Sequence, residues 1–337
     1  MARKAWLAVA VSGLFASLSM PALAQDKAAT SAIATASTAW TTPAIAGVVQ
    51  AGTKIELIKE GFTGTEGPVT LPDGSLIFTE TQANRVTRIA PDGSTSTFVE
   101  GSNGANGLGF TPNGDLYAVQ VLKPRVGIIF PSPKVKTLAD NYEGLPFGRP
   151  NDLVVDQQGN VFFTDSGANA PAAGQGASAP VATAKPAVYR ISSKGELKRL
   201  AFDIERPNGI QLSPDERVLY VANTLGEYLL AYDLRSDGSV GERRNFARLD
   251  GWRKTETGGS SGADGLAVDD AGRVYVASNT GIQVFSSKGE ALGTITLPKQ
   301  PQNLAFAGED KKTLYVVGRG AAYRIAVLTP GVSGRAK

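Results

Sequence analysis

The chain has 337 residues, 42% of them hydrophobic, and a formal net charge of +3, so it can bury a sizeable core and gives no sign of a nucleic-acid partner. It has no cysteine, which excludes disulfides and lipoprotein attachment, and no histidine, which excludes imidazole as a general base and every histidine-ligated metal site. Any chemistry must use carboxylates, amides, hydroxyls, lysine, arginine or a metal ion held by oxygen.

The first 24 residues have the organisation of an export signal. Arg3 and Lys4 give a positive start, residues 5–15 form an apolar run, and Ala-Leu-Ala at 22–24 supplies a small-residue cleavage site. The apolar run is too short to span a bilayer, and no later stretch is long enough. We therefore expect cleavage and a periplasmic or secreted protein with no membrane attachment, assuming a bacterial source; an uncleaved anchor is the alternative.

The remainder divides into three regions by composition. Residues 25–52 are rich in Ala, Thr and Ser without an apolar period, which predicts a flexible leader. Residues 53–328 are short apolar strands separated by Pro, Asp, Gly and Asn, which predicts an all-β domain. Residues 329–337 are interpreted as a polar C-terminal tail.

One strand-turn-strand sequence pattern is repeated six times in the all-β region. Each copy begins with a polar residue, here called an anchor, runs into an apolar strand, turns, and returns as a second apolar strand. The anchors are Glu66, Asn106, Asn151, Asn208, Asp264 and Asn303. Their spacings of 40, 45, 57, 56 and 39 residues match the period of a four-stranded blade. The sequence therefore predicts a six-bladed β-propeller with the anchors gathered at one end of its channel.

The last repeat runs out of strands before its blade is complete. After residues 322–328 only the tail remains, whereas the segment Lys-Ile-Glu-Leu-Ile-Lys at 54–59 has no partner within its own repeat. We expect this N-terminal segment to close the ring as the outer strand of the last blade, since closure removes exposed sheet edges.

Two longer segments are expected at the anchor end of the channel, here called the top. The chain descends from each anchor and returns in the second strand, so the loop that follows lies at the top again. Residues 167–187, rich in Ala, Gly and Pro, and residues 251–262, which include Trp252, occupy such loops. They are interpreted as lid or specificity loops, with tolerated disorder as the alternative for the first.

A second row of polar residues ends the second strands. We interpret this row as a hydrogen-bond shell in which Asp165 could support Asn151. Its members are Glu80, Gln120, Asp165, Asn223 and Ser278.

The anchors themselves indicate a cation site. Carboxylates around a narrow channel repel one another unless a cation neutralises them, and a divalent ion would balance Glu66 and Asp264. Asparagine oxygens would add neutral ligands, and an all-oxygen set suits Ca²⁺ or Mg²⁺ better than Zn²⁺. For Asn106 and Asn303, hydrogen bonding between neighbouring blades is the alternative.

Four short motifs occur in order across the all-β region. They are Glu66-Gly67-Pro68, Arg149-Pro150-Asn151-Asp152, Pro207-Asn208-Gly209 and Asp264-Gly265-Leu266. This ordered set resembles the gluconolactonase, senescence-marker-protein and luciferin-regenerating-enzyme family. The resemblance implies a six-bladed propeller lactonase with one divalent metal ion in its channel.

By position, the resemblance assigns Glu66, Asn208 and Asp264 as metal ligands, Asn151 as a ligand of metal or substrate, and Arg149 as a substrate contact. Calcium is the ion we favour, with zinc, magnesium or manganese as alternatives because family members are reported with different ions. The acidic substrate contact that some members carry after the second strand of the third blade has no clear match here, because the Ala/Gly-rich segment occupies that region.

These assignments predict a metal-dependent hydrolase that opens a small-molecule lactone. The ion would polarise the ring carbonyl and lower the pKa of a water, and Asp264 is the candidate general base. Arg149 and Asn151 would orient the substrate and stabilise developing charge. The alternatives are a phosphoester or aryl-ester hydrolase on the same propeller and a non-catalytic binding propeller.

Overall fold

The computed structural model describes residues 40–168, 183–255 and 258–337. The predicted signal peptide at 1–24, the leader as far as residue 39 and residues 169–182 of the first top loop lie outside the described residues. Within the described part of the chain, no helix is long and apolar enough to cross a membrane.

The described residues form six antiparallel four-stranded sheets, which confirms the predicted propeller. From the innermost strand outward, the first three blades are β2–β5 (Thr65–Thr70, Leu76–Glu80, Arg85–Ile89, Thr95–Glu100), β6–β9 (Ala105–Phe110, Leu116–Gln120, Arg125–Phe130, Lys136–Ala139) and β12–β15 (Pro150–Val155, Val161–Asp165, Ala187–Ile191, Leu197–Ala201). The fourth and fifth are β16–β19 (Pro207–Leu212, Val218–Asn223, Tyr228–Asp233, Arg244–Arg248) and β22–β25 (Leu266–Val268, Val274–Ser278, Gly281–Phe285, Ala291–Ile295).

The last blade joins both ends of the propeller. It runs from β26 (Asn303–Ala307) through β27 (Thr313–Gly318) and β28 (Ala321–Ala326) to β1 (Ile55–Glu60) on the outside. In the β1–β28 pair, Ile55 lies opposite Ile325, and Glu56 forms a 2.7 Å ion pair with Arg324. The predicted closing strand is therefore confirmed.

A few short elements lie outside the blades. They are a 3₁₀ turn (Ser132–Lys134) and two two-residue hairpins, β10–β11 (Asn141–Tyr142 and Leu145–Pro146) and β20–β21 (Lys254–Thr255 and Gly258–Gly259). The second of these hairpins lies within the second top loop.

The core lies between adjacent blades, and this explains the apolar pattern of the strands. The innermost strands contact one another in ring order, β26 contacts β2, and every residue of β12 and β16 is buried. Strands covered on both faces carry continuous apolar runs, whereas outer strands such as β5 are partly exposed and mixed. Between the second and third blades, Val119 packs with Phe163 and Tyr189, whose rings stack at 5.1 Å.

Glycine after an anchor lets neighbouring innermost strands approach closely at the axis. The Gly209 amide donates a 3.1 Å hydrogen bond to the Asp264 carbonyl, and a Cβ atom on Gly209 would collide with that same oxygen. Gly67 meets the Asn106 carbonyl in the same way and has a φ of 49°. The Asn-Gly and Glu-Gly pairs of the repeat thus bring the anchors of adjacent blades together.

Both ends of the described chain differ from the predicted leader and tail. Residues 40–52 pack on the propeller, with Ile45, Val48 and Val49 buried against the interface of the fifth and last blades. In the tail, Val332, Arg335 and Lys337 are buried. The polar composition of these two segments predicts that they are exposed to solvent. A few side chains in each of them nevertheless pack against the propeller.

Candidate functional site

The innermost strands bring the anchors to one end of the channel. Asn303 donates a 3.0 Å hydrogen bond from Nδ2 to Glu66 Oε2, across the junction between the last and first blades. Asn208 donates from Nδ2 to the Thr224 hydroxyl at 3.0 Å, and across the junction between the fourth and fifth blades its side chain favours the ionised form of Asp264. Glu66 and Asn208 are buried, whereas Asp264 is partly exposed. Solvent therefore reaches the site on the side of Asp264.

The two anchor carboxylates resist ionisation in the absence of a cation. Burial raises the pKa of Glu66 to about 7, although the hydrogen bond from Asn303 favours its ionised form, and the charge of Asp152 adds to the increase. The pKa of Asp264 is raised well above its ordinary value, first by loss of hydration inside the narrow channel and then by repulsion from Glu66 and Asp152. A nearby cation would relieve this repulsion and stabilise both ionised carboxylates.

Two amide oxygens in the same cluster are left without a partner. Asn151 Oδ1 and Asn208 Oδ1 are buried, and no described residue donates a hydrogen bond to either of them. Such an unsatisfied acceptor costs ~1–3 kcal/mol, which a cation ligated by that oxygen would recover. Two carboxylates and two free amide oxygens are a donor set that fits a hard divalent ion.

This donor set relies on amides. No group of three or more His, Cys, Asp or Glu side chains suited to a metal ion occurs among the described residues. Carboxylates alone therefore do not complete a metal site in this part of the chain, and the asparagine oxygens are needed to complete one.

Asn106 and Asn303 make the hydrogen bonds between blades that their alternative interpretation predicts. Asn106 Nδ2 donates to the Asn151 carbonyl at 2.8 Å, and its Oδ1 accepts from the Thr81 hydroxyl at 3.2 Å. Asn303 Oδ1 accepts from the Leu304 amide at 2.9 Å, while its Nδ2 holds Glu66. Both amide oxygens thus accept hydrogen bonds from protein groups, whereas Oδ1 of Asn151 and Oδ1 of Asn208 accept none from the described residues.

Asp165 supports the backbone before β12. It accepts hydrogen bonds from the backbone amides of Gly148, Arg149 and Gly167 at 2.8, 2.6 and 3.0 Å. Asp165 thus fixes the turn that presents Arg149, directly before the strand that carries Asn151. The Arg149 side chain is partly buried, and no hydrogen bond or ion pair joins its guanidinium to another described residue.

The rest of the second polar row behaves as the predicted hydrogen-bond shell. Glu80, for example, accepts from the Thr63 amide, the Arg85 guanidinium and the Thr87 hydroxyl at 2.9, 2.8 and 2.6 Å. In the second top loop, Trp252 donates from Nε1 to the Leu225 carbonyl at 3.0 Å, which ties this loop to the turn after β17.

Sequence reasoning missed two members of the site. Asp152, directly after an anchor, is fully buried, and its Oδ2 lies 2.5 Å from the Nζ atom of Lys337. The position of Asp152 on the innermost strand was a usable signal, because a charged residue in a buried strand needs a partner. A lysine in a polar tail carried no comparable signal.

The bottom of the propeller holds a separate space. A cavity of about 970 Å³ lies there. It is lined by turns that follow the innermost strands, by Phe98, Phe110 and Phe130, and by tail residues 333–336. It lies at the opposite end of the innermost strands from the anchors, so it is distinct from the candidate site.

The family model and the similar proteins agree on one family for this chain. The SMP-30/gluconolactonase/LRE-like region matches residues 64–319. A gluconolactonase of Zymomonas mobilis is 29% identical over 86% of this chain and 85% of its own length. A pentonolactonase of Haloferax volcanii is 27% identical over 76% of this chain and 81% of its own.

A solved structure agrees with these relatives. A gluconolactonase of Xanthomonas campestris superposes with a TM-score of 0.73 and 26% identity, over 86% of this chain and 94% of its own. The family match spans all six anchors and both carboxylates of the cluster. The chain therefore belongs to the SMP-30/gluconolactonase/LRE-like family.

Proposed function

We propose that this protein hydrolyses a small lactone with the help of one divalent metal ion. The observation that carries the proposal is a pair of buried oxygens, Asn151 Oδ1 and Asn208 Oδ1, that have no hydrogen-bond partner among the described residues. They accompany the mutually repelling carboxylates of Glu66 and Asp264. The gluconolactonases of Zymomonas mobilis and Xanthomonas campestris, similar over most of their lengths, support the reaction class.

Four side chains would hold the ion: Glu66, Asn151, Asn208 and Asp264. Their all-oxygen donors favour calcium, and magnesium, manganese and zinc are the alternatives. When bound, the ion supplies Lewis-acid polarisation of the lactone carbonyl and lowers the pKa of a water.

The remaining chemistry belongs to protein groups. Asp264 is the partly exposed carboxylate of the cluster, so it is placed to take a proton from the attacking water. The water oxygen bonds to the carbonyl carbon, the ring C–O bond breaks, and the proton passes to the departing ring oxygen, giving an open hydroxy acid. The guanidinium of Arg149, which has no partner among the described residues, would orient the substrate. Asn151 would bind the substrate next to the ion.

A substrate panel with controlled metal content tests the proposal. Chelator-treated protein is assayed on a gluconolactone, a pentonolactone, an aryl ester and a phosphotriester, with Ca²⁺, Mg²⁺, Mn²⁺ or Zn²⁺ restored separately. We expect lactone hydrolysis to fall by about a hundredfold or more on stripping, to return with one of the ions, and to exceed ester hydrolysis by a similar factor.

Other outcomes of the panel would reassign the protein. Lactone hydrolysis that is unchanged by stripping would overturn the metal role. Faster turnover of the aryl ester or phosphotriester would favour the ester-hydrolase alternative. Ion binding without turnover of any substrate would favour a binding propeller.

We also propose that the mature protein acts in the periplasm or outside the cell. The support is the charged start, apolar run and Ala-Leu-Ala site of residues 1–24. Mass spectrometry of the exported protein is expected to find a first residue of Gln25. A cytoplasmic protein that retains Arg3 and Lys4 would contradict this location.

A further inference from the structure

The tail, residues 329–337, enters the channel from the bottom of the propeller. The Thr70 amide, at the lower end of β2, donates to the Ala336 carbonyl at 2.7 Å. On the last blade, the Lys311 ammonium donates to the Val332 carbonyl at 2.8 Å and also to the Arg335 carbonyl. Two blades that are neighbours in the ring thus hold the tail backbone.

The Arg335 side chain attaches the tail to a third blade. Its guanidinium donates to the carbonyls of Leu212 and Ser213, both at 2.7 Å, at the lower end of β16. The Lys337 carbonyl accepts a 3.4 Å hydrogen bond from Gln211 Nε2. These contacts point the last side chain up the channel toward the anchors.

Lys337 carries its charge into the base of the candidate site. Its side chain is 3% exposed, and its Nζ atom lies 2.5 Å from Oδ2 of Asp152, whose side chain is 0% exposed. Asn303 Nδ2 lies 3.4 Å from the same Asp152 oxygen and donates to Glu66 at 3.0 Å. A continuous polar chain therefore runs from Lys337 through Asp152 and Asn303 to Glu66.

Both oxygens of Asp152 are engaged in this arrangement. Oδ2 faces Lys337 and Asn303, and Oδ1 accepts the Leu153 amide at 2.9 Å. Glu66, Asp152 and Asp264 carry three negative charges when ionised, and Lys337 supplies one positive charge. Lys337 therefore offsets the charge of Asp152 next to the proposed ion.

We propose that Lys337 is a positioning residue that holds Asp152 away from the ion and offsets the charge of Asp152 beside the proposed cation site. The proposal rests on the proposed metal site formed by Glu66, Asn151, Asn208 and Asp264. A lysine that enters from the opposite end of the propeller thereby leaves Glu66 and Asp264, and not Asp152, to serve the ion, and it holds Glu66 in place through Asn303.

Ion binding by single and double variants tests the proposal. Ca²⁺ and Tb³⁺ affinities are measured by calorimetry and terbium luminescence on the chelator-treated mature protein. The variants are Lys337→Met, Asp152→Asn and their double combination, with Lys337→Arg as the charge-retaining control. Thermal unfolding of each variant is recorded in parallel to establish that it is folded.

We expect opposite shifts from the two single variants. Lys337→Met makes the site more negative and should tighten Ca²⁺ binding by about tenfold or more, with a larger gain for Tb³⁺ because Coulomb energy scales with ion charge. Asp152→Asn should weaken Ca²⁺ binding by a similar factor. The double variant should lie within about threefold of the wild type, because the net charge is restored.

The change in the ratio of Tb³⁺ to Ca²⁺ affinity distinguishes this electrostatic role of Lys337 from a merely structural one. A loosened tail would lower thermal stability without raising the ratio of Tb³⁺ to Ca²⁺ affinity. Unchanged affinities and an unchanged ratio in Lys337→Met would overturn the proposal while leaving the metal site standing. If the wild type bound no divalent ion, the metal site would fail and this proposal would fail with it. Should Asp152→Asn not fold, the comparison of Lys337→Met with Lys337→Arg and the double variant still decides.

Discussion

Replacing Asp264 by asparagine is expected to lower lactone turnover by about a thousandfold while leaving the propeller folded. General-base groups contribute roughly 10²–10⁴-fold to such reactions, and the amide keeps the shape of the carboxylate but takes up no proton. The Asp264 backbone remains free to accept its 3.1 Å hydrogen bond from the Gly209 amide, so the contact between the fourth and fifth blades is preserved. Turnover is measured at saturating lactone and saturating Ca²⁺, with circular dichroism to establish the fold.

A matched control lies just beyond the opposite end of the same innermost strand, β22. Asp270, exposed at the turn after β22, can receive the same change without touching the channel, and Asp270→Asn should keep wild-type turnover. A wild-type rate in Asp264→Asn would show that Asp264 is not the base. Recovery of activity at higher Ca²⁺ would instead show that its role is to hold the ion.

Deleting residues 1–61 is expected to abolish folding altogether. The deletion removes β1, exposes the outer edge of β28, and takes away Ile55 together with the buried residues Ile45, Val48 and Val49. Each fully buried aliphatic side chain contributes roughly 1.5–3 kcal/mol, and a domain is stable by only ~5–15 kcal/mol. Loss of several such side chains and of one complete strand ladder therefore exceeds what the ring can tolerate.

The comparison is a deletion that ends at residue 39, which retains β1 and the packed segment 40–52. This shorter deletion should remain monomeric by size-exclusion chromatography and unfold in one cooperative thermal transition. The longer deletion should aggregate and show no such transition. A stable monomer without residues 1–61 would mean that closure by β1 is dispensable.

The blades were predictable because their signals are local. Short apolar runs, tight turns such as Asp73-Gly74, and a recurring anchor occur within about fifteen residues of one another in each repeat. Equivalent positions in a closed array meet at its axis, so the gathering of the anchors follows from the repeat itself. The closing strand was predictable for a related reason. The last repeat lacked a fourth strand, and the N-terminal segment at 54–59 had no partner in its own repeat.

The unequal roles of the anchors depend on neighbours in other blades. Asn106 and Asn151 are the same residue type at the same register, yet Asn106 is held by Thr81 and by the Asn151 carbonyl, whereas Asn151 Oδ1 has no partner among the described residues. Similarly, Asp165 faces three backbone amides of the turn before β12, which no spacing along the chain indicates. Side-chain hydrogen bonds of this kind are set by packing across blade junctions.

By itself the sequence determined the ring, its closure and the set of polar residues at its top, because these follow from short-range periodicity repeated six times. Only the tertiary structure decided that Lys337 lies under those residues, paired with Asp152 from 185 positions earlier in the chain. The physical reason is that a buried charge needs an oppositely charged partner once water is excluded. Both the exclusion of water and the nearness of that partner arise only when the blades have closed into a ring. Lys337 of the polar tail and Asp152 of the innermost strand then form one buried ion pair.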